Sequence, residues 1–335
     1  MTLWNPGAAK EPVYNTGAAK VANGQSMLNV SQPIRAAAAA DDLKGRIESF
    51  MRGASTEITP SEENRLPELT SVLPAGTSVY VAHTPTASFS QVIHAALAVQ
   101  GAGFHATPHI AVRRVPTAQA LRAALQELRR GGVGDILLIA GDAARPIGEY
   151  SSALDVLAAG ILEECGIGRV GVAGHPEGHN AVASASLWEA LEAKQAYADR
   201  TRLPMHIVTQ FGLDRAAFKS WERELVRRHI RLPVRVGIAG PAPLPKLMHF
   251  AIQCGIGASM RALMRNLGAA AHASDLATSP DQHLLSLLAA PLPPQIVGPH
   301  FFAFGGALET ARWMRSVAAG AFDIDPKGGR LRLRD

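Results

Sequence analysis

Residues 117–142 read TAQALRAALQELRRGGVGDILLIAGD. An amphipathic helical segment (117–130) gives way, across a glycine-rich turn, to a short apolar run (135–140) that ends just before a carboxylate, Asp142. Helix-then-strand units of this kind pair their strands in parallel and cross over right-handedly, so the number of repeats decides the architecture. Further short runs follow the same pattern: STEIT at 55–59, SVYVA at 78–82, ATPHI at 106–110, RVGVA at 169–173, MHIVT at 205–209, VRVGI at 234–238 and FFAF at 301–304. With 135–140 they make eight. Helical segments such as SFSQVIHAALAVQ, EYSSALDVLAAGILEECG and DRAAFKSWERELVRRH lie between them, the last opening on Asp214 as an N-cap. Eight such units predict a closed (β/α)8 TIM barrel, whereas an open doubly wound sheet more often stops sooner. The interval 239–300 is long enough for at least two helices.

The ends of the chain read differently. Residues 1–35, rich in Gly, Ala, Asn and Pro with GAAK at 7–10 and 17–20, are expected to form a flexible arm. The barrel is expected over 36–325, introduced by a helix that sets Leu43, Ile47, Phe50 and Met51 on one face. A basic tail is expected over 326–335.

A hydrophobic fraction of 47% with 18% charged residues describes a chain with a large core and argues against extensive disorder. The two cysteines, Cys165 and Cys254, are not in paired spacing, which excludes a disulfide scaffold and suits a reducing cytoplasm. No run of eighteen apolar residues is present, so a soluble protein without a membrane partner is expected. The net charge of +5 lies in scattered arginine groups and aromatics are only 5%, too few for stacking platforms, so no nucleic-acid partner is expected.

In a barrel the chemistry gathers where the strands end. Polar residues recur there: Glu57 in the first run, His83 after the second, His109 in the third, Asp142 after the fourth, His175 to His179 after the fifth and Gln210 after the sixth. The strand beginnings hold fewer, namely Asp135, Arg169 and Arg235. Each rim residue also has a structural alternative. Asp142 suits a turn, His83 and His109 suit hydrogen-bonded fillers, and Gln210 suits a strand end. Glu57 is the hardest to explain away, since a charge in a barrel strand is costly unless it has a partner or a task.

The segment GVAGHPEGHN (171–180) places His175, Glu177 and His179 together. It fails the HExxH zinc pattern, because Pro176 follows His175 directly after a strand, and it fails GxGxxG, because its glycines do not open a helix. A zinc or manganese site built with His109 and Asp142 stays open as a metal-dependent hydrolase reading.

GVAGHPEGH after the fifth strand, TQFGLD after the sixth, STEITP in the first and Gly-Asp after the fourth together resemble the methylenetetrahydrofolate reductase family over about residues 50–320. That resemblance implies an FAD-containing barrel, active as a homo-oligomer, that uses NADH or NADPH to reduce the methylene group carried by folate to a methyl group. It implies Glu57 as the catalytic acid and Asp142 as the aspartate beside flavin and pterin. Gln210 and Phe250 would be the folate contacts, and His109, His175, His179 and Lys194 the flavin-contacting positions. The chain departs from the family pattern at Ala140, where an arginine commonly precedes Gly-Asp, at His175 and Leu187, and in the thinned aromatics of Phe211-Gly212-Leu213. A non-catalytic folate- or flavin-binding relative is the other alternative.

Overall fold

Eight parallel strands close into a barrel: β1 (Ser55–Ile58), β2 (Ser78–Val81), β3 (His105–Ala111), β4 (Asp135–Ile139), β5 (Arg169–Gly174), β6 (Met205–Phe211), β7 (Val234–Ala239) and β8 (Ile296–Phe302). Each pairs with its sequence neighbours, and β8 returns to β1 through Ser55 opposite His300. The expected (β/α)8 barrel is therefore the fold. The computed structural model describes residues 42–212, 214–253, 277–278, 280–325 and 330–334; the expected arm over 1–35 lies outside them.

Seven strands fall where the apolar runs place them. The eighth starts at Ile296, five residues before the expected Phe301. Gly298-Pro299 reads as a chain breaker in sequence, yet both lie in the ladder, beside a register shift between Ile296 and Gly298 against β7. The glycine is needed there. Its φ is +157°, and a Cβ would meet the carbonyl oxygen of Gly53 at 2.7 Å, so the chain entering β1 crosses β8 backbone to backbone.

Several helices start at a side-chain cap. Ser88 accepts from the Gln91 N–H, Thr117 from Ala120, and Asp214, as expected, from Ala216 and Ala217. The helix over 42–51 buries Ile47, Phe50 and Met51 and half-buries Leu43, which is the face its spacing predicts. Among the described residues, the helices Leu244–Gln253 and Asp281–Leu288 lie in the interval before β8. Beyond the last helix, Ala307–Ala318, part of the basic tail forms a strand. Leu331–Leu333 pairs antiparallel with Phe322–Ile324, and the buried Asp281 carboxylate accepts both the Trp313 indole N–H (3.1 Å) and the Leu331 N–H (3.2 Å).

Most of the core lies between the strands and the surrounding helices. Inside the barrel the apolar cluster is small: Tyr80, Leu137 and Val208, with Ile139 against them. Polar groups take the places that branched aliphatics usually fill, and they lead to the site. No helix among the described residues is long and apolar enough to cross a membrane.

Candidate active site

Glu57 is the third residue of β1, level with Tyr80 of β2, and is 7% exposed. Burial, and then the negative charge of Glu62, push its carboxyl pKa up to about 8, against the opposing pull of the Ala303 and Phe304 backbone N–H groups that it accepts. Glu62 is itself a brace. It accepts from Thr59 N (3.0 Å) within β1's own loop and from Ala307 N (3.1 Å) at the start of the last helix. The loop after β8 is thus tied to the loop after β1, with its amides turned to Glu57. Phe304 sits in that loop at φ +51°, a left-handed conformation that costs a bulky residue roughly 1–3 kcal/mol.

Below and beside Glu57 lies a set of neutral imidazoles. His300 Nε2 is 4.0 Å from Glu57 Oε2, and His300 Nδ1 is 3.0 Å from Ser55 Oγ. The Tyr80 hydroxyl is 2.9 Å from His206 Nε2, and the Tyr80 ring packs edge-on against His300 (4.5 Å) and His109 (6.0 Å). Burial is the first cause holding all three histidines far below the usual imidazole value, with His109 and His206 near 3. Nearby positive charge and the neighbouring imidazoles add to it: His83 acts on His109, and His109, Arg235 and His206 act on His300.

The expected rim residues fall into two groups. On the β2–β4 side, Asp142 is half exposed (48% of its side chain) and is gripped by Arg114, whose Nη2 and Nε donate to Oδ1 at 2.9 and 3.1 Å. Arg114 also donates to the Pro85 carbonyl after β2 (3.1 Å). His83 lies within the fields of both, its pKa lowered to about 4 by burial and then by Arg114. Gly141 lets this loop turn at φ +85°, where a Cβ would meet that of Ala111 at 2.9 Å. Through His83, His109 and His300, each within the field of the next, this side connects to Glu57.

On the β5–β6 side, His175 and His179 meet edge to face at 5.4 Å, and His179 Nδ1 accepts from Ala181 N. Lys194, from the helix Ser184–Thr201, is buried beside His175 and makes no hydrogen bond or ion pair among the described residues; burial lowers its amine to about 8. Glu177 turns to the next loop, where Oε1 accepts the Asp214 N–H at 2.9 Å. Gln210 keeps both carboxamide atoms buried with no partner among the described residues. Its neighbour Phe211 packs at 5.0 Å against Phe304, which stacks at 4.7 Å on the expected Phe250. Four phenylalanines, Phe211, Phe250, Phe302 and Phe304, thus form one ring cluster, joined to Glu57 through the Phe304 amide.

Among the described residues, no three His, Cys, Asp or Glu side chains gather where a metal ion could bind. Asp142 is paired with Arg114 and His175 packs on His179, so the metal-hydrolase reading finds no ligand set among the described residues. No protein-family model matches the chain. The resemblance rests on the residues themselves.

Several members of the site escape sequence reading. Arg114 reads as one of many scattered arginines, and only the fold brings it to Asp142, 28 positions away. His300 sits just before the expected start of the eighth strand, and Tyr80 and His206 each read as ordinary strand residues. Strict alternation, starting from the buried Ser55 and Glu57, was the available signal for their inward direction.

Proposed function

We propose that the chain is a flavin-dependent oxidoreductase of the methylenetetrahydrofolate reductase type, interconverting 5,10-methylene- and 5-methyltetrahydrofolate. The observation that carries this reading is Glu57, a buried barrel-strand carboxyl whose pKa is raised to about 8 and which accepts the amide of Phe304, whose ring belongs to a cluster of phenylalanines. The folate methylene bridge is a cyclic aminal. Hydride can reach it only once a ring nitrogen is protonated and the ring opens to an iminium cation, so the site must provide an acid. At pH 7 a carboxyl of pKa about 8 is about nine-tenths protonated, against about 0.3% for an ordinary glutamate, roughly a three-hundredfold gain in available acid.

The other residues suit the remaining needs. The unpartnered Gln210 carboxamide offers a donor and an acceptor to a pterin edge, and Phe250 with Phe304 offers an apolar wall for a planar ring. Asp142 acts as half of an ion pair with Arg114, so it stabilises a cation less than a bare carboxylate would and chiefly orients what lies against it. His109, His175, His179 and Lys194 are the residues that would hold FAD, with the unpaired Lys194 amine suited to its anionic part. When bound, the flavin supplies a hydride carrier between NADH or NADPH and folate.

The test is stopped-flow measurement of the two half-reactions on FAD-loaded protein. Glu57→Gln is expected to slow the folate half-reaction by about a hundredfold or more and to leave flavin reduction by nicotinamide unchanged. Equal losses in both would remove the acid role. A protein that takes up no flavin would remove the reading altogether.

A further inference from the structure

We propose that His300 is a positioning residue for Glu57: Ser55 fixes the imidazole tautomer so that a bare Nε2 lone pair receives the acid proton. The geometry carries this. Ser55 Oγ donates to the Pro299 carbonyl (3.4 Å) and accepts from Arg235 Nη1 (3.5 Å). In the arrangement that the pairing takes, that hydrogen stays on the Pro299 carbonyl and the hydroxyl meets His300 Nδ1, 3.0 Å away, as an acceptor. The ring proton then lies on Nδ1, and Nε2 is left with its lone pair.

Nε2 is completely buried and has no hydrogen-bond partner among the described residues. The groups around the ring offer no alternative. Tyr80 and Phe302 present aromatic edges, at 4.5 and 4.8 Å, and the charged or titratable neighbours His109, His206 and Arg235 all disfavour a second proton on it. What faces Nε2 is Glu57 Oε2 at 4.0 Å, about 1 Å beyond a hydrogen bond, a gap that rotation of the carboxyl can close. Glu57 in turn faces Glu62 and the amides of Ala303 and Phe304, none of which can accept its proton in place of His300 except the carboxylate of Glu62, already engaged with Thr59 and Ala307. An acceptor for the neutral acid favours the protonated form. The imidazole stays neutral throughout and no proton leaves the pair until substrate takes it.

The catalytic consequence rests on the acid role of Glu57 proposed above; the pairing itself does not, and the experiment separates them. Carbon-13 NMR of glutamate-labelled full-length protein, with the Glu57 signal assigned by its loss in Glu57→Gln, follows the carboxyl titration directly. His300→Asn keeps a polar atom near Ser55 and deletes Nε2, and is expected to weaken the proton affinity of Glu57 about tenfold, one pH unit. His300→Gln, which returns an amide to the Nε2 position, is expected to recover much of it. Ser55→Ala frees the tautomer, allows Nε2–H to donate to the carboxylate, and shifts the midpoint the same way as the Asn variant; it serves also if the His300 variants fail to fold. In the folate half-reaction the pH limb is expected to move with the NMR midpoint. A Glu57 midpoint unmoved in His300→Asn, or in Ser55→Ala where the former does not fold, overturns the pairing. A midpoint that moves in protein without folate turnover leaves the pairing standing and removes the folate reading instead.

Discussion

Replacing Glu57 with glutamine is expected to make the protein more stable, by an amount that depends on pH. Folding raises the pKa of this carboxyl from an ordinary 4.5 to about 8. A folded state with the higher proton affinity keeps its full stability below the unfolded value, then loses it as pH rises between the two values, and loses no more above 8. At 1.36 kcal/mol per tenfold change, the wild-type penalty is about 1 kcal/mol at pH 5, about 3 at pH 7 and about 5 above pH 8. Glutamine is nearly isosteric, carries no charge at any pH, and can still accept the Ala303 and Phe304 N–H groups. Urea unfolding of both proteins at pH 5, 7 and 8.5 is the assay, and the variant should gain little at pH 5 and most at 8.5. At pH 7 the gain corresponds to an increase in Tm on the order of 5–10 °C. A difference between the two proteins that is flat across this range would refute the claim that Glu57 is held neutral by burial, and with it the source of the acid. The same substitution thus trades folate chemistry for stability, as expected where a strained group is kept for use.

Three further outcomes follow from single contacts. Gln210→Leu removes two buried polar atoms that have no partner among the described residues and should raise stability by about 1–3 kcal/mol in urea unfolding, while folate KM rises; a loss of stability would mean that the carboxamide is satisfied. Asp281→Ala strips the acceptor from the Trp313 indole and the Leu331 amide and should cost about 2–4 kcal/mol in urea unfolding; a change within about 0.5 kcal/mol would show that the C-terminal strand is not anchored there. Arg114→Ala leaves Asp142 unpaired, so the His83 ring, now beside an uncompensated carboxylate, should titrate higher than its present value of about 4 by proton NMR, though burial keeps it below 6.5. An unmoved His83 signal would place that arginine's field elsewhere.

How far the site could be read from sequence depends on distance along the chain. Strand positions were legible because each run carries its own β-branched or apolar residues, and Glu57, Asp142 and Gln210 were legible as rim residues because parallel strands all end at one mouth. The start of β8 was not, because Gly298-Pro299 looks like a turn until Gly53 is seen crossing it. Partners were not legible either. Asp142 reads as a free carboxylate in sequence but is half of a pair in the fold. Tyr80 and His206, joined by one hydrogen bond, stand 126 positions apart. The turn after β8 is announced by Gly305 and Gly306, but the left-handed residue that aims an amide at Glu57 is the phenylalanine before them, Phe304.

The raised acid and the lowered bases have one cause, and each depends on the other. Desolvation penalises any charge in the barrel, so it moves a carboxyl up and an imidazole down. Were His300, His109 or His206 to take a proton, its positive charge would pull Glu57 back toward an ordinary value and the acid would be lost at neutral pH. Aliphatic side chains in the same places would keep the interior dry, but would give a neutral carboxyl no acceptor for its proton. Imidazoles held neutral by burial and by one another avoid both failures, because they are polar enough to hold a proton in place and too poorly solvated to keep it. On this argument any substitution that wets the interior, such as Leu137→Ala beside Tyr80 and Val208, should move Glu57 down and the histidines up together. Movement of one set without the other would mean that the two shifts have separate origins.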